Sequence, residues 1–131
     1  MKKNPLLNSE ISYIISRLGH TDTIVIADAG LPIPDNVRRI DLALVPGMPS
    51  FLDTLEAVLT ELKVESAVVA SEMKQKSPGL YSKIKESLKN VAIGELSHEE
   101  FKRETARAKA VIRTGEFTPY ANIILQAGVM F

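Results

Sequence analysis

The chain holds two histidines, His20 and His98, and no cysteine. Imidazole is the side chain best suited to giving and taking protons near neutral pH. The two rings stand at opposite kinds of helix end. His20 follows the end of an amphipathic segment, where the negative end of the helix dipole favours imidazolium. His98 falls in the first turn of another segment, Ser97-His98-Glu99-Glu100, where the positive end favours the neutral ring. Two groups biased apart in this way are what acid–base catalysis uses. The plainer reading of each is a surface or helix-capping residue.

Two polar segments add candidates. Asp28-Ala29-Gly30 directly follows an apolar run, and Thr114 to Asn122 follows another, with Arg113, Glu116, Tyr120 and Asn122 in or beside it. Tyr and Asn both donate and accept hydrogen bonds, which suits sugar hydroxyls. Asp28 also has a bland reading, since Asp commonly organises turns. Other chemistries lack their signatures. Without cysteine there is no disulfide, thiolate ligand or thiol nucleophile. His98-Glu99-Glu100 lacks the second His of a zinc helix, no Walker loop or G-x-G-x-x-G is present, and no Ser sits in a nucleophile elbow. No metal and no cofactor is therefore expected.

The elements that must position these residues alternate between helix and strand. Leu7, Ile11, Ile14, Ile15 and Leu18 recur at helical spacing behind a cap at Asn8, and Gly19 is placed to end that helix. Thr23 to Ala27 reads as a short buried strand, and Arg38 to Val45 as a second, broken by Pro46-Gly47-Met48-Pro49. Ser50 and Asp53 resemble a capping box opening a helix through Leu62, although the acid is Asp rather than Glu. Ser66 to Ser71 is a strand. Ser77-Pro78 reads as a cap with proline at the first helical position, opening a helix that carries Tyr81, Ile84 and Leu88. Asn90 to Gly94 forms a short strand, and the capping box at Ser97 opens a helix reaching about Lys109. Ala110 to Arg113 and Ile123 to Gln126 are the last strands, a hairpin-like pair that adds an antiparallel member. This alternation predicts an α/β fold, a three-layer α/β/α sandwich with a mostly parallel, possibly mixed, central sheet. Ligands of such sheets gather beyond the carboxyl ends of the strands.

The 131 residues fit one domain, 1–131, long enough to bury a core. Lys+Arg and Asp+Glu both number 16, which argues against nucleic-acid or membrane-surface binding driven by charge. Aromatic residues are only 5% and Trp is absent, so a stacking platform for single strands is not expected. The basic start, Met1 to Pro5, has no apolar signal core behind it, and no stretch has the length of a membrane span. A soluble cytoplasmic protein is the expectation. The nearly apolar segment Ile123 to Phe131 should be buried, either in its own sheet or against a neighbouring copy.

Three stretches resemble a known family, the ribose pyranases and related fucose mutarotases. They are Gly19-His20-Thr21-Asp22 with Ile26 to Pro32, then Ser97 to Lys102, then Ile112 to Asn122 with Gln126-Ala127-Gly128-Val129. The long C-terminal string is the specific part, and Glu65 to Gly94 carries no diagnostic motif. The resemblance implies a sugar mutarotase that interconverts pyranose and furanose forms of D-ribose. It implies His20 as proton donor and Asp28, His98, Tyr120 and Asn122 as sugar contacts. It also implies a homo-oligomer, a decameric ring, with sites at subunit boundaries. The rival from another class is a non-catalytic sugar-binding or transport-accessory protein.

Overall fold

A computed structural model describes residues 1–131. Its centre is a six-stranded sheet in the order β2-β5-β1-β6-β3-β4. The strands are β1 Thr23–Ala27, β2 Arg38–Asp41, β3 Val64–Ala70, β4 Ala92–Leu96, β5 Ala110–Arg113 and β6 Ile123–Ala127. β1 pairs in parallel with β5, as do β2 with β5 and β3 with β4; β6 runs antiparallel to both β1 and β3. The sheet is therefore mixed, with one reversed strand at its middle. The last two strands are not a hairpin. β1 lies between β5 and β6, pairing with each along its length.

The helices are α1 Ser9–Arg17, α2 Phe51–Leu59, α3 Met73–Lys76, α4 Pro78–Ser87 and α5 His98–Glu104, the last continued by a 3-10 turn over Thr105–Arg107. Side chains alternate across β1, where Ile24, Val25, Ile26 and Ala27 are all fully buried. Ile24 and Ile26 join Ile40, Ile112, Ile123 and Leu125 in the larger core, closed by Ile11, Leu55, Met73 and Ile84 from α1 to α4. Val25, Ala27, Val111 and Ile124 face the other way, against Leu31, Val37, Phe101 and Ala108. Both faces of the sheet are covered, as the three-layer expectation requires.

Local signals hold with corrections. Asn8, Ser50 and Ser97 cap α1, α2 and α5 by accepting from Ile11, Asp53 and Glu100 N–H. α1 ends because Leu18 turns extended; Gly19 takes no left-handed φ. The second strand stops at Asp41 rather than Val45, since Val45 bridges back to Met48. Ser77 stands at the N-cap of α4 with Pro78 opening the helix, but its side chain makes no cap bond. Its buried hydroxyl donates instead to the Pro119 carbonyl at 2.6 Å.

Candidate active site

Five strands bring their carboxyl ends to one edge of the sheet, and the reversed β6 begins there. That edge collects Asp28, Thr114, Glu72, His98 and the loop from Gly115 to Asn122. Asn122 is fully buried. Its side-chain carbonyl accepts from Asp28 N–H at 2.8 Å, and its amide donates to the Asp28 carboxylate at 2.9 Å. The other Asp28 oxygen accepts from Gly30 N–H at 2.9 Å. The turn reading of Asp28 is thus correct, and the same bonds hold its carboxylate at the edge. Beside it opens a cleft of about 390 Å³ lined by Gly30, Arg113, Phe117 and Thr118 among others.

Two residues on, Tyr120 has φ +61°, a left-handed conformation uncommon outside Gly and Asn. It carries the ring to His98, edge to face with centroids 5.0 Å apart and planes at 84°. His98 is the first residue of α5, and its N–H is held by both Glu72 carboxylate oxygens at 3.0 and 3.1 Å. Partial desolvation raises the Glu72 pKa, but hydrogen bonds from its own backbone, the His98 N–H and the Ser71 hydroxyl outweigh it and hold the carboxyl below its ordinary value. The His98 Nδ1 is buried and has no partner within the chain. A buried polar atom left unpaired costs stability and is normally matched by something.

Two nearby candidates are committed elsewhere. The Glu116 carboxylate accepts from Phe51 N–H at 3.0 Å, at the start of α2, and from the Thr118 hydroxyl at 2.9 Å. Arg113 donates to the Ala29 carbonyl at 3.0 Å and to both Asp41 oxygens at 3.1 Å. Both side chains brace the loops around Asp28.

His20 is not at this edge. It precedes β1, so it lies at the opposite end of a strand whose five residues span roughly 17 Å at the usual rise. Asp28 therefore cannot orient His20 of the same chain. Nor does the α1 dipole act on it closely, since His20 lies three residues beyond the last helical one and the effect fades within a turn. Its Nε2 sits 2.8 Å from the Glu65 carboxylate instead.

A family model described as the RbsD / FucU transport protein family matches residues 1–130. The chain belongs to this family. Within it, the chain is 56% identical over 131 residues to a D-ribose pyranase of Clostridium novyi (strain NT), covering all of both chains. It is 59% identical to a D-ribose pyranase of Geobacillus thermodenitrificans (strain NG80-2), covering all of this chain and 99% of that one. The solved structure of Bacillus subtilis RbsD complexed with D-ribose superposes with a TM-score of 0.97 at 54% identity, covering both chains fully. A fucose mutarotase from Streptococcus pneumoniae, solved with L-fucose, shares the fold with a TM-score of 0.85 at 24% identity, again over both full chains.

Of the residues that the family resemblance picks out, Asp28, His98, Tyr120 and Asn122 converge at one edge of the sheet and His20 stands alone at the other. Glu72 and Glu65 were not singled out by sequence, and Ser77 was named only as a helix cap. The long-range contacts of Glu72 and Ser77 carry no local signal, because the partners are 26 and 42 residues away. Glu65 fell one residue before the strand expected over Ser66 to Ser71, whereas β3 includes it.

Proposed function

We propose that this chain catalyses the interconversion of pyranose and furanose forms of D-ribose, through acid–base opening and closure of the ring. Full-length identity to several D-ribose pyranases carries the reading. Inside the molecule, the unpaired His98 Nδ1 beside Tyr120 and the Asp28–Asn122 pair supports it, because such an array matches a polyol.

The chemistry is proton transfer. A base takes the proton of the anomeric hydroxyl as the bond from C1 to the ring oxygen breaks. An acid protonates that oxygen, giving the open aldehyde. Rotation presents the other hydroxyl to C1, and the reverse transfers close the new ring. We assign His20 as the acid and Asp28, His98, Tyr120 and Asn122 as the groups that hold the sugar. No metal or cofactor enters.

Because His20 lies at the far edge, the working site takes His20 from a neighbouring copy. Exposed Leu44, Val45 and Phe117 flank the Asp28 cleft, an apolar rim suited to such a contact. We therefore propose a homo-oligomer, a decameric ring by the family resemblance, of chains each forming one domain over 1–131. No helix is long and apolar enough to cross a membrane, and the proposed place of action is the cytoplasm. The family description names transport, which favours a non-catalytic sugar carrier as the second reading. NMR saturation transfer on equilibrated ribose separates the two. Catalytic amounts of protein should speed exchange between pyranose and furanose signals; a carrier leaves the exchange rate unchanged.

A further inference from the structure

Two irregularities of the backbone meet at the His20 edge. The first is in β3. Val64 pairs with Ala127 and Ser66 with Gln126, so Glu65 is an extra residue, a β-bulge. In an unbulged strand Glu65 would share the face of Ala67 and Val69, which enter the larger core. The bulge puts Val64 into that core instead and turns Glu65 out to the rim. Bulges of this kind re-aim side chains and concentrate near functional sites. Gly128 leaves the room, since a Cβ there would come within 3.2 Å of the Glu65 Cβ.

The second irregularity is the turn that carries His20. The Asp22 N–H donates to the Gly19 carbonyl at 3.1 Å, and the Asp22 carboxylate accepts from Gly19 N–H at 2.9 Å. His20 and Thr21 are the two central residues, and Thr21 has φ +71°. A β-branched residue in that region is strained. The Thr21 N–H is tied to the Ala127 carbonyl at 3.0 Å, so the turn is fixed to β6 beside the bulge. The two side chains then meet, with His20 Nε2 2.8 Å from Glu65 Oε2 while each is about half exposed, 50% and 48%. An ion pair that open adds little stability, so the strain is not repaid by the pair itself.

We infer that Glu65 is a positioning residue for His20, accepting the Nε2–H so that Nδ1 is the nitrogen that exchanges protons with the sugar. The inference rests on the reading of His20 as the acid. A hydrogen bond at one ring nitrogen decides what the other does. The imidazolium carries N–H at both nitrogens. It gives the Nδ1 proton to the ring oxygen as the C1–oxygen bond breaks, and the neutral ring keeps its Nε2–H on Glu65. On closure the attacking hydroxyl returns its proton to Nδ1.

The test is a double-mutant cycle on the assembled protein, with kcat and KM for ribose exchange measured by saturation transfer. Glu65→Ala and Glu65→Gln should each lower kcat about 10- to 100-fold, part of the ~10²–10⁴ a placed acid supplies, and change KM by less than about twofold. Glu65→Asp should recover part of the loss. Glu65→Ala added to His20→Ala should cause no further loss, because Glu65 acts only through that ring. If Glu65→Ala does not assemble, Glu65→Gln, which keeps the size of the side chain, decides. Wild-type kcat in the Glu65 variants, or an equal loss with and without His20, overturns the inference and leaves His20 as the acid. Wild-type exchange by folded His20→Ala overturns the reading of His20 itself.

Discussion

His20 and Asp28 stand at opposite ends of one strand, β1, with the five buried or half-buried residues Thr23–Ala27 between them. No side-chain motion closes that distance. Any site using both residues draws them from two chains, and this shapes the first expectation.

His20→Ala and Tyr120→Ala should each be nearly inactive as uniform assemblies. Unfolded together and reassembled, they should regain exchange toward about a quarter of the wild-type level, the share of sites in which random pairing of chains brings both residues intact. The check is saturation transfer on mixtures whose mixed assembly is verified with differently tagged chains. Activity no higher than the sum of the separate variants would mean that both residues serve one chain's site.

His98→Ala removes the unpaired Nδ1 and the ring packed on Tyr120. A hydrogen bond to the sugar is worth about 1 kcal/mol net, so KM should rise roughly five- to tenfold. Ribose titrations followed by the same NMR exchange measure it. An unchanged KM and kcat would take His98 out of the site.

Glu116 makes stability depend on pH. Burial raises its pKa, but hydrogen bonds from the Phe51 N–H and from Thr118 hydroxyl and backbone outweigh it, so the folded pKa lies below the ordinary 4.5. The sign follows from linkage. The stabilisation is fully present above the unfolded value and is lost as pH falls through the depressed folded one. Glu116→Gln should therefore flatten the loss of stability below about pH 4.5. It should also cost about 0.5–2 kcal/mol at pH 7, as loss of a helix-start partner does. Denaturant melts from pH 3 to 7 would show an unchanged slope if Glu116 does no such work.

Gly115→Ala should destabilise the site loop. A Cβ there would lie 2.4 Å from the Met48 carbonyl oxygen. Backbone bonds Gly47 N–H to Gly115 carbonyl and Gly115 N–H to Pro49 carbonyl, 2.6 and 2.9 Å, hold the two loops together. Forced separation should cost about 1–3 kcal/mol and weaken ribose binding through the adjoining Asp28 cleft. Thermal melts with and without ribose test this, and a wild-type melting temperature would refute it.

What the sequence determined by itself was local. Thr23–Ala27 is a strand because five β-favouring or small residues in a row are bounded by turn residues. α1, α2 and α5 start where they do because Asn8, Ser50 and Ser97 satisfy N–H groups within three residues of themselves. The candidate site residues were picked out through motifs, which record residue types and short spacings. The tertiary structure decided everything that depends on which strands lie side by side. It reversed β6 and set it beside β1, which brought Asn122 to Asp28 across 94 residues, and it paired β3 in parallel with β4, which brought Glu72 to His98 across 26. It committed Glu116 and Arg113 to bracing, turned Glu65 outward on a bulge and put His20 at the far edge. Periodicity reports which face a residue takes, but not which strand is its neighbour. Strand order follows from burying the whole sheet at once, an energy that no short stretch of chain carries.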